Sequence, residues 1–266
     1  VCGNWREGRS ERPIELVYPG SGERYLRFAG ASTQDVDEAV VAARQALEGP
    51  WSKKIRPAQR SRILWKLSEL MMAHADELAE LETLSTGKPI RETRGVEIPL
   101  SAEIFQYFAG WATKVEGETV PTSPGMLNFT LREPVGVVGI ITPWNFPLLM
   151  SSWKIAAALA CGNAVVHKPS ELTPLSALRL AELALEAGLP EGVYQVLPGY
   201  GDEAGEALVA HRGVDKISFT GSTATGRRIM EQGAKTLKRL TLELGGKNPN
   251  VVFADADLDA AVKGAL

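Results

Sequence analysis

The chain has 266 residues and a mass of 28.7 kDa, enough to bury a core without disulfide or metal staples. Its 29 Lys and Arg and 32 Asp and Glu give a formal net charge of −3 without long runs of like charge, so no nucleic-acid partner is expected. No apolar run approaches the roughly 18 residues that cross a bilayer, so no membrane partner is expected. Two cysteines, Cys2 and Cys161, form neither a disulfide framework nor a CxxC metal site, which predicts a cytoplasmic protein without a metal.

Residues 1–116 predict a helical part after an irregular start. Ser32 and Asp35 have the spacing of a capping box, and the apolar stripe that follows predicts a helix ending before Gly49.

From Pro57 the apolar positions keep helical spacing, which predicts one helix that runs to a left-handed cap at Gly87. His74 lies on this stripe without a paired ligand at helical spacing, so we predict a core or boundary histidine and assign it no chemistry.

Residues 117–134 alternate like a two-stranded β-ribbon, and because a lone ribbon is marginal in water, we expect it to protrude and pair with another element. Residues 135–257 alternate short β-branched runs with helical segments, which is the rhythm of a parallel sheet. The predicted strands are Val135–Thr142, Ala164–His167, Tyr194–Leu197, Lys216–Thr220 and Arg239–Leu244. The predicted fold class is therefore α/β, with a doubly wound, Rossmann-like sheet.

Two helix boundaries in this region carry their own signals. Thr173 as N-cap and Pro174 in the first turn predict a helix that Gly188 closes. Residues 258–266 begin another helical pattern that stops without a cap, so we expect them to start a truncated further domain.

Ligands of open parallel sheets bind beyond the carboxyl ends of the strands. The first predicted strand leads to Asn145 between two prolines, a rigid turn whose amide could donate to a developing oxyanion, although such an asparagine alone is more often a turn former. The second leads to Lys168 and Glu171, which could bond the two hydroxyls of a ribose, although alone they are more often a solvated pair.

Two further strand ends are unusual. Gly221 lets a ligand approach the backbone, and Ser222 could cap a helix whose N-terminus favours a pyrophosphate, although this signal alone is weak. Glu243 lies between leucines that would raise its pKa if it were buried, which suits a general base, although most strand-end glutamates are solvated.

Residues 199–204 match the dinucleotide fingerprint G-x-G-x-x-G/A. Against this interpretation, Pro198 interrupts the junction, and Asp202 and Glu203 place negative charge where a pyrophosphate would bind. We therefore interpret Gly201 only as a contact at the edge of a cofactor.

Taken together, the PWNFP, KPSE, FTGS and ELGGKNP segments, in this order, resemble the aldehyde dehydrogenase superfamily over nearly the whole chain. The resemblance implies catalytic roles for Asn145, Glu243 and Lys154. It implies a cofactor site formed by Ile141, Pro143, Trp144, Lys168, Ser170, Glu171, Gly201, Phe219, Gly221, Ser222, Leu244 and Gly245. It implies a substrate pocket with Phe146, Met150 and Trp153, for which plain packing remains an equal alternative.

The implied reaction oxidises an aldehyde to a carboxylic acid with NAD, through a cysteine thiohemiacetal and a thioester. Asn145 would hold the oxyanion, and Glu243 would activate the water that hydrolyses the thioester. Glu171 beside the ribose favours NAD because it repels a 2′-phosphate, while NADP stays open because Lys168 offsets that charge.

The implied nucleophile is missing. Cys161 is expected to be a small buried residue and Cys2 lies near a terminus, so we predict that this chain alone is inactive and that the catalytic cysteine lies beyond it. The resemblance also implies that the ribbon joins the sheet of a neighbouring subunit, so a homodimer or homotetramer is expected of the full-length protein. The alternative is a non-catalytic nucleotide-binding or scaffold protein of the same fold.

Overall fold

The computed structural model describes residues 3–52 and 54–265. Its first element is a β-hairpin, formed by strands β1 (Pro13–Val17) and β2 (Arg24–Ala29). The prediction of an irregular start followed only by helices is therefore wrong for this segment. Ile14 and Leu16 are buried while their neighbours Glu15 and Val17 are exposed, so a short period-two signal was present in the sequence.

The first helix, α1 (Thr33–Ala46), begins as predicted. The Ser32 hydroxyl accepts a hydrogen bond from the Asp35 N–H, and the Asp35 carboxylate accepts one from the Ser32 N–H at 2.9 Å. This capping box is confirmed, and it satisfies two backbone donors at the helix start.

The predicted long helix from Pro57 is two helices, α2 (Pro57–Ala73) and α3 (Ala75–Thr86). The break falls at His74, whose backbone (φ −106°, ψ 24°) leaves the helical region. His74 is a boundary residue, and its Nδ1 lies 2.9 Å from Glu77 Oε2 in the next turn. Gly87 closes α3 with φ +77°, which confirms the left-handed cap.

After this cap the chain forms a short helix, a π-helical turn and a long helix. These are α4 (Ile90–Glu92), the turn Thr93–Glu97 and α5 (Ile98–Trp111). The ribbon follows as β3 (Thr119–Val120) and β4 (Asn128–Phe129), an antiparallel pair that carries the exposed side chains of Met126, Leu127 and Leu131.

The remaining elements alternate between strand and helix, as predicted. They are β5 (Val137–Ile141), α6 (Pro147–Ala160), β6 (Ala164–Lys168), α7 (Leu175–Glu186), β7 (Tyr194–Val196), α8 (Glu206–Ala210), β8 (Lys216–Gly221), α9 (Thr223–Ala234), β9 (Arg239–Leu244) and α10 (Leu258–Ala265). The five strands form one parallel sheet in the order β7-β6-β5-β8-β9. This order confirms the doubly wound, Rossmann-like fold. From β5 the chain first adds β6 and β7 on one side and then returns to add β8 and β9 on the other, so the strand order reverses between the neighbours β5 and β8.

One predicted cap is displaced. The residue at the N-cap of α7 is Pro174 and not Thr173. The Thr173 N–H donates to the Ser170 carbonyl in a preceding turn, and the buried Thr173 hydroxyl has no hydrogen-bond partner among the described residues. Thr173 therefore lies one residue before the cap, and among the described residues its hydroxyl caps no N–H of α7.

The amino end of the sheet is tied to the helical part of the chain. The Asp215 carboxylate accepts hydrogen bonds from the Val137 N–H, at 2.7 Å, and from Arg44 on α1. The fully buried Trp51 donates its indole N–H to the Asn163 carbonyl at 3.0 Å. These contacts fix α1 and the π-helical turn that follows it (Leu47–Trp51) against β5 and β6.

Neither a membrane-spanning helix nor a metal-binding cluster occurs among the described residues. None of the helices in the ranges 3–52 and 54–265 combines the length and the apolar character that crossing a membrane requires. No group of three or more His, Cys, Asp or Glu side chains in the same ranges is arranged to hold a metal ion.

Candidate active site at the carboxyl edge of the sheet

The four strand ends singled out in the sequence lie along one edge of the sheet. Ile141 at the end of β5 is in register with Lys168 on one side and with Phe219 on the other. Gly221 at the end of β8 is in register with Leu244 on β9. Because all five strands run in the same direction, the residues that follow them meet at this edge.

The turn after β5 is set by two prolines. Phe146 occupies the N-cap of α6 and Pro147 its first turn, so the turn passes directly into the helix. Asn145 is exposed and faces an open cavity of about 1050 Å³. Six predicted site residues line this cavity, namely Asn145, Phe146, Met150, Trp153, Lys154 and Glu243.

Lys154 is half-buried in the wall of this cavity. Its Nζ donates to the Ser218 hydroxyl at 3.3 Å. Burial lowers the pKa of the Lys154 ammonium, Lys216 lowers it further, and the negative charge of Glu243 opposes the shift. Lys154 and Glu243 therefore interact electrostatically across the cavity.

Glu243 is exposed, so the desolvation suggested by its leucine neighbours is not present. It lies on β9, the outer strand of the sheet, and the adjacent Leu244 is itself exposed. Burial of the carboxylate, which would favour a general base at this position, is therefore not observed, whereas access of Glu243 to the large cavity is.

Lys168 and Glu171 form a preorganised pair. Lys168 is only 4% exposed, and its Nζ donates to Glu171 Oε2 at 3.0 Å. The adjacent Ser170 is buried, and its hydroxyl accepts a hydrogen bond from the Leu172 N–H at 3.3 Å. The sequence alone favoured a solvated charge pair at this position. The structure instead shows a buried Lys168 bonded to Glu171.

The turn after β8 needs glycine at position 221. A Cβ atom there would lie 2.5 Å from the ring of Phe219, which is far inside van der Waals contact. Ser222 caps α9 by accepting a hydrogen bond from the Thr225 N–H at 3.1 Å, which confirms the predicted cap. The first N–H groups of α9 thus lie at the edge of the sheet, next to the backbone of Gly221, which carries no side chain.

A second cavity, of about 200 Å³, lies between α8 and α9. Ile141, Gly201 and Thr225 are among the residues that line it. Gly201 begins a π-helical turn (Gly201–Gly205). Asp202 is held by Arg12, whose Nη1 is 2.8 Å from Asp202 Oδ2.

Other predicted cofactor residues lie at the same edge. Pro143 and Trp144 belong to the turn after β5, and Trp144 is 57% exposed. Leu244 and Gly245 follow from β9 and are exposed.

Sequence reasoning missed a buried polar cluster behind this edge. His167 Nε2 lies 2.9 Å from the Thr142 hydroxyl, and His167 Nδ1 lies 3.2 Å from the Tyr194 hydroxyl. Burial, reinforced by Lys168 and Lys154, lowers the pKa of His167 to about 3, so its imidazole is neutral at physiological pH. A histidine inside an apolar strand was the available signal.

Cys161 is exposed, which corrects the expectation of a small buried residue. It caps the C-terminus of α6, whereas Asn145 precedes its N-terminus, so the 14 residues of the helix separate them by roughly 20 Å. Although the residue is exposed, partial burial of its thiol raises the pKa of the thiol, an effect that Arg60 opposes. Cys161 is thus neither close to Asn145 nor activated. Cys2 lies outside the described residues.

Comparisons with known proteins agree with this fold. Residues 5–266 match the model of the aldehyde dehydrogenase family. Human retinal dehydrogenase 2 is 48% identical over 267 residues, which cover 100% of this chain and 52% of that protein. The chain spans about half the length of the relatives it matches.

Solved structures give the same result. PnpE from Pseudomonas sp. WBC-3, determined in complex with nicotinamide adenine dinucleotide, superimposes with a TM-score of 0.95 at 50% identity, over 100% of this chain and 54% of PnpE. The NAD+ complex of an aldehyde dehydrogenase from Bacillus cereus gives 0.95 at 47% identity, with the same shares of 100% and 54%. The fold thus defines an α/β protein of the dehydrogenase type. The chain belongs to the aldehyde dehydrogenase family.

Proposed function

We propose that the whole protein oxidises an aldehyde to a carboxylic acid with NAD, and that this chain supplies the cofactor site, the oxyanion donor Asn145 and the water-activating carboxylate Glu243. The convergence of Asn145, Lys168, Gly221 and Glu243 on one edge of the sheet carries the proposal. The likeness to two solved NAD complexes supports the choice of cofactor.

The donor set fits a dinucleotide. Lys168 can donate to one ribose hydroxyl and Glu171 can accept from the other, because the pair already lies at the end of β6. The capped N-terminus of α9, with Gly221 before it, can receive the pyrophosphate. Of the remaining predicted contacts, Ile141, Ser170, Gly201, Phe219, Leu244 and Gly245 would flank the adenosine and pyrophosphate, and Pro143 and Trp144 would lie on the nicotinamide side.

The large cavity suits the chemical step. NAD, when bound, accepts a hydride from the substrate carbon. The Asn145 amide can donate to an oxyanion at the cavity wall, and Lys154, which lines the same cavity, adds positive charge there. Glu243 faces the same cavity, where its carboxylate can take a proton from the water that hydrolyses an acyl intermediate. We assign the nucleophile to neither Cys161 nor any other described residue.

The substrate side of the proposal rests on three residues that follow Asn145. Phe146, Met150 and Trp153 line the cavity from the turn and α6, and they present apolar surface to an aldehyde. We also propose a homodimer or homotetramer for the whole protein, since the ribbon around β3 and β4 exposes Leu127 and Leu131 to about three-quarters.

Replacing Lys168 with alanine is expected to weaken NAD binding by about 10- to 100-fold, because a charge-assisted hydrogen bond is worth roughly 1.5 to 3 kcal/mol. Isothermal titration calorimetry of NAD with the protein and its variants measures this change. The matched control is Lys66→Ala, which removes an exposed ammonium on α2 that donates to the Glu186 carbonyl. Equal affinities in Lys168→Ala and the unaltered protein would place the adenosine elsewhere.

The preference for NAD over NADP is expected to depend on Glu171. Neutralising it as Glu171→Gln removes the repulsion of a 2′-phosphate while keeping the side chain's size, so the ratio of the two dissociation constants should move toward NADP by about 10-fold. Titration of both cofactors against tryptophan fluorescence gives this ratio. An unchanged ratio would assign the discrimination to another group.

A further inference from the structure

Three charged side chains from separate parts of the chain are gathered beneath the turn that carries Asn145. Glu82 lies near the end of α3, Lys88 follows the Gly87 cap, and Glu97 ends the π-helical turn. Glu82 is 1% exposed and Glu97 5%, and the Lys88 side chain is also largely covered. Burying three ionisable side chains is costly unless their arrangement stabilises the fold or the site.

Lys88 joins this group to the turn. Its Nζ donates a hydrogen bond to Glu97 Oε1. The same Nζ lies 3.5 Å from the centroid of the Phe146 ring, within the range of a cation–π interaction. Phe146 is the residue after Asn145 and lines the large cavity. The ammonium therefore restrains both a wall of the cavity and the peptide that carries the amide.

Glu82 completes the group from below α6. Burial raises the pKa of its carboxyl, and the Ser176 hydroxyl and the Leu148 N–H lie close enough to oppose that rise, yet neither carboxyl oxygen has a partner at normal hydrogen-bond geometry among the described residues. Leu148 is in the first turn of α6, where the positive end of the helix dipole stabilises a nearby carboxylate. One oxygen of Glu97 is likewise buried without a partner.

We propose that Lys88, held by Glu97, is a positioning residue for Asn145 in the proposed reaction, acting through the ring of Phe146. The inference rests on the proposed function, because it concerns the placement of the oxyanion donor. Glu82 supports the same turn by facing the start of α6. Lys88 is not among the residues that line the large cavity, so it would act only through Phe146.

The test compares a paired neutralisation, Lys88→Gln/Glu97→Gln, with the unaltered whole protein. The pair is changed together because removing one partner alone would leave the other charge buried and uncompensated. The matched control is Arg24→Gln/Glu15→Gln, which removes an exposed ion pair from the β1–β2 hairpin. Each variant is also made in an Asn145→Ala background, and kcat/KM for an aldehyde, the affinity for NAD and the melting temperature are measured.

The expected result is a fall in kcat/KM of about 10- to 100-fold, as misplacement of a catalytic group by about 1 Å produces, with NAD affinity changed by less than about two-fold. In the Asn145→Ala background the same paired change should cost less than about three-fold, because the group that it positions is already gone. Lys88→Arg keeps the charge but moves it relative to the ring, so it should lose about three- to ten-fold without a fall in melting temperature.

Three results would overturn the inference. One is an unchanged kcat/KM in the paired variant. Another is an equal loss in both backgrounds, which would mean a general structural effect. If the paired variant does not fold, full activity in Lys88→Arg decides against positioning. Failure of the proposed function is a separate result: the unaltered protein would then show no NAD-dependent aldehyde oxidation, and the inference would fall with it.

Discussion

Replacing Asn145 with alanine in the whole protein is expected to lower kcat for aldehyde oxidation by about 100- to 1000-fold, which is the usual effect of removing one oxyanion donor. The reason is the rigidity of its turn, which holds the amide at the wall of the large cavity without reorganisation. NAD affinity should stay within about two-fold, because Lys168 and the start of α9 lie on other strand ends. Steady-state kinetics with calorimetric NAD binding measure both quantities.

The control for Asn145→Ala is Gln45→Ala, which removes an exposed amide from α1. It should leave kcat unchanged. A fall of less than about three-fold in kcat for Asn145→Ala would contradict the assignment of this amide to an oxyanion.

Replacing Glu82 with glutamine is expected to change the pH dependence of stability by up to about 3 kcal/mol. Burial, with a contribution from Glu97 and against those of Ser176, Leu148 and Lys88, raises the pKa of Glu82 to about 7. Between its ordinary pKa and about pH 7 the folded protein holds a proton that the unfolded chain releases. The stability of the unaltered protein should therefore fall as the pH rises through this window and level off above it.

Urea unfolding of both proteins between pH 5 and pH 8 checks this expectation. Glu82→Gln cannot ionise, so its advantage over the unaltered protein should grow with pH and then stay constant. Glu80→Gln, an exposed change on the same helix, is the matched control and should show no such growth. A constant difference between Glu82→Gln and the unaltered protein would show that Glu82 does not titrate in this range.

The sheet was predictable because each of its strands has a local signal. The run at residues 164–168 is short, β-branched and bounded by turn residues, and the structure places β6 there. Since parallel strands end at one edge, the meeting of Asn145, Lys168, Gly221 and Glu243 followed from their positions alone.

What the sequence could not predict depends on contacts between distant segments. The apolar spacing is continuous through His74, so the break between α2 and α3 had no local signal. Lys88 reaches Phe146 across 58 residues of sequence, and no periodicity relates them. The exposure of Glu243 depends on which segments pack over β9, and the identity of its leucine neighbours does not determine that.

Asp215 links the parallel sheet to the helical part of the chain. By binding the backbone of β5 and Arg44 of α1, it closes the sheet at the edge opposite Asn145 and Glu243. Loss of this carboxylate is therefore expected to loosen α1 from β5 while leaving the cavity that Asn145 and Glu243 line intact. Substitutions at Asp215 would then lower the amount of folded protein, whereas substitutions around the cavity would alter its chemistry.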